Sequence, residues 1–153
     1  MREILFRGKD SETGVWHEGQ YIHLHKTTYC FSGSKKRDEE NEIHQIVFER
    51  MTDWNLPNRH LRADVLPETV GQYTGLTDKN GKKIFEGDIV KVSYRCRGES
   101  QTEYREVLYN EEECCYYPMR WNESCEWCDY STEITEIEVI GNIHDNPELL
   151  KGE

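Results

Sequence analysis

The side chains with the most chemistry to offer are six cysteines and six histidines. Cys125 and Cys128 stand in a C-x-x-C pair, the spacing that lets two thiolates converge on one tetrahedral zinc ion. A closed site needs two more ligands, and Cys114-Cys115 is the nearest supply. Adjacent residues of a strand point to opposite faces, so only one of that pair joins easily and Cys96 or a histidine must complete the set. The candidate metal ligands are therefore Cys125 and Cys128 with two of Cys96, Cys114 and Cys115, in a structural role. The plainer reading, reduced thiols on strands and a turn, is preferred over structural zinc, and a redox dithiol comes last. No cofactor is expected on that reading.

His23 and His25 lie two apart in an alternating run, so both rings leave one face of a strand, with Tyr21 beside them. An H-x-H pair can supply part of a metal site, and His17 on a neighbouring strand could be recruited. Spacing fixes no third ligand, so a polar sheet surface or subunit contact is preferred here. Glu86 and Asp88 flank Gly87, but nothing in the sequence separates their pKa values as an acid/base pair requires. The chain contains no Ser/His/Asp arrangement, Walker motif or dinucleotide fingerprint, and no catalytic residue is assigned.

The elements that must position these residues read as strands. Arg2–Arg7 is a short strand, and Val15–Glu18 returns antiparallel to it across a polar Gly8–Gly14 loop. Gln20–His25 alternates, with Ile22 and Leu24 on one side and Tyr21, His23 and His25 on the other. Residues 42–51 fit a helix or a buried strand equally well. Asp78-Lys79-Asn80-Gly81 reads as a hairpin tip of type I′, which needs positive φ at both central residues. Glu86-Gly87-Asp88 turns the chain into a strand from Ile89, and the Asp88 carboxylate is placed to accept a local N–H. Thr74-Gly75 and Gly141-Asn142 read as bulges or tight bends. Further strands are expected at Tyr104–Tyr109, Cys115–Trp121 and Ile134–Ile143, and a terminal helical turn after Asn146-Pro147. Loops 32–42 and 97–102 are expected to be mobile.

A chain of 153 residues fits one domain, here divided into an N-terminal β part over 1–68 and a core over 69–150. The formal charge is −11, and residues 93–153 carry 5 basic against 15 acidic side chains. That excess repels phosphate backbones, so nucleic acid is an unexpected partner for the C-terminal part. Any nucleic-acid face would have to gather Lys35, Lys36, Arg37, Lys82 and Lys83. Tyr116, Tyr117, Trp121, Trp127 and Tyr130 cluster among the acidic residues, and those on the outer face could form a contact patch. No export signal or apolar run of membrane-spanning length is visible, so a cytoplasmic protein with no membrane association is expected.

Three blocks resemble the YopX family of phage, prophage and mobile-element proteins. They are Arg2-Glu3-Ile4-Leu5-Phe6-Arg7, the long Thr69–Val90 segment TVGQYTGLTDKNGKKIFEGDIV, and Glu138–Leu149, EVIGNIHDNPEL. The resemblance implies a mainly β fold, a small SH3-like barrel or roll with added N-terminal strands and minor helix, and no assigned activity or site. The expected function is non-enzymatic action through protein–protein contacts or self-association, as a homo-oligomer or with a host or phage protein. The alternatives are a nucleic-acid-binding accessory protein and a metal-dependent protein using Cys114, Cys125 and Cys128.

Overall fold

The computed structural model describes residues 3–26, 42–96, 99–119 and 133–150. The chain divides into two compact units, one spanning Glu3–Gln72 and one running from Tyr73 onward. Both are built of antiparallel strands. Helix is confined, among the described residues, to 3₁₀ turns at Pro67–Thr69 and Pro147–Leu150. The mainly β fold is as expected, but among the described residues none of the sheets closes into the expected small barrel. No described helix is long and apolar enough to cross a membrane.

In the first unit β1 (Phe6–Lys9) pairs with β2 (Trp16–His25), which pairs with β3 (Glu42–Arg50), which pairs with β4 (Arg59–Asp64). The start of β5 (Gly71–Thr77) lies on the other side of β1, with Arg7 opposite Gly71. The first strand thus begins four residues later than the sequence pattern placed it (Phe6 rather than Arg2), and the ambiguous segment after residue 41 is a strand. Its β-branched Ile43, Ile46 and Val47 favour extended backbone, and pairing on both sides settles the choice. Ile46, Ala63 and Val65 are buried in this unit.

In the second unit the remainder of β5 pairs with β6 (Lys83–Phe85). A three-stranded sheet has the order β11-β7-β8, with β7 spanning Asp88–Cys96, β8 Glu99–Glu106 and β11 Glu133–Asn142. Residues 99–102, expected in a loop, instead extend β8 because each pairs with β7, from Glu99 opposite Cys96 to Thr102 opposite Ser93. The short β9 (Leu108–Asn110) and β10 (Cys115–Tyr117) form a ribbon of their own. The core comprises Ile84, Val90, Val92, Val107 and Val139, against which Tyr116, Met119, Ile134 and Ile137 pack. Alternation puts Val90 and Val92 on one face of β7, and Ile137 and Val139 opposite them on β11. Register shifts fall between Tyr73 and Thr77, around the expected Thr74-Gly75, and between Val139 and Gly141, just before the expected Gly141-Asn142. A third falls between Ile134 and Glu136, where none was expected.

The hairpin tip differs in kind from its sequence reading. Only Gly81 has positive φ, +81°, while Asn80 does not. Gly81 N–H donates to the Asp78 carbonyl at 3.0 Å and Asp78 N–H to the Lys82 carbonyl at 2.8 Å. This is the three-residue loop in which a type I turn is followed by one left-handed residue, the place glycine fills without steric cost. The reason lies in Asp78, which is buried and spends its carboxylate on backbone. Oδ1 accepts from Asn80 N–H (2.8 Å) and Lys82 N–H (2.9 Å), and Oδ2 from Val139 N–H (3.1 Å) in β11. Lys79 N–H adds a bond to the Ile137 carbonyl at 3.0 Å. Burial pushes the Asp78 carboxyl up, but the amides of Val139, Lys82 and Asn80 together hold it below its ordinary 3.8.

Asp88 plays a parallel part. Its Oδ2 accepts from Phe85 N–H at 2.8 Å, as the sequence anticipated. The same turn binds two other segments through its backbone: Gly87 N–H donates to Val107 O (2.9 Å), Val107 N–H to Asp88 O (2.8 Å) and Ile143 N–H to Gly87 O (2.9 Å).

Removing the Asp78 carboxylate strands three amide donors. Asp78→Ala is expected to lower unfolding free energy by about 3 kcal/mol in urea titration, and Asp78→Asn by about 2 kcal/mol. Because the folded pKa lies below the unfolded one, the carboxylate's contribution is complete above about pH 5 and disappears as pH falls through 3.8 and below. Asp78→Asn should therefore flatten the acid limb of the stability-against-pH curve relative to wild type.

Candidate metal centre

The residues best placed to hold an ion lie on β2 and β3. In the hairpin register His23 faces His44 directly and His25 faces Glu42. Directly opposed residues of an antiparallel pair share a face with Cβ atoms about 5 Å apart, and residues two apart on one strand share it too. Tyr21, His23 and His25 of β2 therefore meet Glu42 and His44 of β3. Gly19 lets the strands come this close. A Cβ there would stand 2.0 Å from the Val47 carbonyl oxygen. His44 is anchored through its own carbonyl, which accepts Val65 N–H at 2.9 Å.

The side chains converge on one carboxylate oxygen. Glu42 Oε2 lies 3.4 Å from His23 Nε2 and 3.1 Å from His44 Nε2. The two imidazoles stack with centroids 4.5 Å apart, and the Tyr21 hydroxyl meets His44 Nδ1 at 2.5 Å. His44 is 14% exposed, Glu42 30% and His23 45%, so the cluster sits at the mouth of the buried face. The hydrogen bond from His44, opposed by burial and helped by the nearness of His23, holds the Glu42 carboxyl below its usual range. Burial, then the Glu42 charge, raises the Tyr21 phenol.

The sequence singled out His23, His25 and Tyr21 but missed Glu42 and His44. A legible signal existed: E-x-H at 42–44 repeats the spacing of H-x-H at 23–25, and two such pairs meet if the strands form a hairpin. The register that brings them together was not readable. His17, the other candidate, points elsewhere. It stacks on Phe48 at 4.4 Å and lies 3.7 Å from Asp10 Oδ2. The His25 ring lies 5.8 Å from that of His23.

The cysteines are not brought together by the described residues. Cys125, Cys128 and Cys30 lie outside them, as do Trp121, Trp127, Tyr130, Lys35, Lys36 and Arg37. Cys96 closes β7, and its side chain is likewise outside the description. Cys114 is not on a strand as expected. It occupies the turn before β10 with φ +52°, its Sγ toward the Glu111 carbonyl at 3.5 Å. Cys115 opens β10 with its Sγ 3.7 Å from Glu113 Oε2. Of the expected basic face, Lys82 is exposed and Lys83 lies over the Tyr73 ring at 5.6 Å. Tyr116 and Tyr117 are half-buried.

Strand order and the His/Glu cluster define the class: a mainly β protein of several antiparallel sheets with a candidate N/O metal centre in its first unit. The chain belongs to the YopX family, whose model, described as YopX protein, matches residues 5–151. Among solved structures, the crystal structure of protein EF1440 from Enterococcus faecalis is similar at 22% identity, over 98% of this chain and 99% of that chain, with a TM-score of 0.46. No curated protein matches.

Because Cys114 is exposed and Cys115 half-buried, limiting iodoacetamide should label Cys114 severalfold faster than Cys115. Peptide mapping by mass spectrometry reads the two rates, and equal labelling would contradict the turn geometry.

Proposed function

We propose that this chain is a non-enzymatic, cytoplasmic protein of phage or mobile-element origin that works by binding another protein. The origin, and an SH3-like scaffold, are carried by the family resemblance. The observation that carries the binding reading is a concavity of about 440 Å³ in the second unit, lined by apolar and polar groups in nearly equal measure. Tyr104, Leu108, Tyr117, Pro118 and Leu150 line it together with Arg105 and Glu106. Tyr104 is 49% exposed and Leu108 53%, an arrangement that costs solvation unless something covers it. Tyr in a concave lining is a typical anchor of an interface hot spot.

The surroundings favour a foreign partner over a second copy. Two chains of formal charge −11 repel one another, whereas a partner with basic groups around an apolar knob is attracted. The same charge speaks against nucleic acid. A non-enzymatic role is supported by Arg105 of this lining, whose guanidinium is held by Glu103 Oε2 at 2.7 and 2.9 Å, while Glu103 also accepts the Tyr94 hydroxyl at 2.6 Å.

Immobilised full-length chain should capture a basic protein from host lysate in a salt-sensitive manner, while light scattering reports a monomer. Leu108→Asp should weaken capture about thirtyfold, the size of a 2 kcal/mol hot-spot loss. A chain that captures nothing, or whose capture is indifferent to Leu108→Asp, would count against the proposal. A stable dimer dissolved by that substitution would assign the face to self-association instead.

A further inference from the structure

Three donor atoms from adjacent strands of the first unit, His23 Nε2, Glu42 Oε2 and His44 Nε2, all lie within 4.8 Å of one another. We propose that they bind one divalent first-row transition ion, zinc being the best fit, with water in the fourth position. This site is separate from the contact face of the second unit and does not depend on it.

The distances carry the assignment. Zinc bonds of about 2.0–2.1 Å at tetrahedral angles place neighbouring donor atoms roughly 3.3–3.4 Å apart. Glu42 Oε2 to His23 Nε2 is 3.4 Å and to His44 Nε2 is 3.1 Å, so two of the three edges stand near the metal-bound values. The third edge, His23 Nε2 to His44 Nε2, lies within 4.8 Å. Because the two rings are stacked nearly parallel, His23, the more exposed of them, must rotate out of the stack to direct its lone pair at the ion. Two imidazoles and a carboxylate are borderline donors that suit zinc, cobalt, nickel and copper better than magnesium or calcium. An ordinary ion pair needs one imidazole; here two address the same oxygen.

The cluster also has an outer partner. A ligating histidine holds its second ring nitrogen in a hydrogen bond that fixes tautomer and orientation. For His44 that partner is the Tyr21 hydroxyl. Without the ion, His44 Nε2–H donates to Glu42 and the Tyr21 O–H donates to Nδ1. With the ion, the Nε2 lone pair faces the metal, the proton sits on Nδ1, and Nδ1–H donates to the Tyr21 oxygen. No proton is lost in this exchange of tautomers. The ion would tie the end of β2 to the start of β3, on either side of residues 27–41.

The full-length chain, stripped by chelator, would be titrated with cobalt(II) and then zinc. The expected result is one cobalt per chain with the ligand-field absorption of a nitrogen/oxygen site, displaced by zinc. His23→Ala and Glu42→Gln should each weaken it at least tenfold, and Tyr21→Phe about tenfold, as loss of an outer-shell partner does. The double substitution Cys125→Ser/Cys128→Ser should leave that absorption unchanged. Saturating zinc at about a hundred times Kd should raise Tm by about 5–10 °C in wild type and not in His23→Ala. Absence of any cobalt binding, or a spectrum of thiolate charge transfer that survives His23→Ala and Glu42→Gln, would overturn the proposal. Should His23→Ala lose its wild-type circular dichroism, Glu42→Gln decides alone, its side chain being part-exposed.

Discussion

The carboxylate of Asp78 is the point on which the second unit depends. It accepts three backbone amides, two from its own turn and one from β11, sixty-one residues further along the chain. A local turn of this kind could be held by many residues, but a bond to Val139 requires a side chain that reaches past its own loop. A buried carboxylate meets a high desolvation cost, and only several donors together offset it. Once offset, the charge makes each bond stronger than a neutral one and the geometry less forgiving. The result locks the β5–β6 hairpin to β11, and through it to β7 and the Ile84–Val90–Val139 core.

Asp88 and its turn repeat the logic with backbone in place of long reach. Phe85 N–H is satisfied by the side chain, while the Gly87 and Asp88 peptide groups bind Val107 and Ile143. Segments far apart in sequence are thus fastened by polar contacts as well as by apolar burial. That matters in a chain whose hydrophobic content is only 35%. Long-range pairings of this type carry most of the loop-closure entropy of a β protein, so the groups that secure them are few and specific.

What the sequence made legible was local. Bulges at Gly75 and Gly141, the Asp88 carboxylate bond and the period-two strands all follow from residue type and spacing within a few positions. The turn at Asp78 was legible as a turn but not in its form, because its geometry is dictated by Val139, which no local pattern names. Residues 42–50 show the same limit. Their spacing fits two periods, and pairing with β2 and β4 decides between them. His44 and Glu42 became part of a cluster only through that pairing, whereas H-x-H at 23–25 could be read without it. Loop and strand were confused at 99–102, where polar residues form a strand because β7 supplies the partner.

The same accounting indicates where function can reside. Within residues 74–88 the buried polar side chains are already engaged with backbone: Thr74 Oγ1 donates to Ile84 O and accepts from Leu76 N–H, while Asp78 and Asp88 hold amides. A group whose hydrogen-bonding capacity is consumed by the fold cannot also bind or transform a ligand without unmaking the fold. The most family-like segment is therefore scaffold for a physical reason. Spare chemical capacity lies elsewhere: in the imidazoles around Glu42, whose ring nitrogens the backbone does not use, and in uncovered Tyr104 and Leu108, which the core does not bury. The first can take an ion and the second a protein surface, and neither asks the Asp78 and Asp88 ties to change.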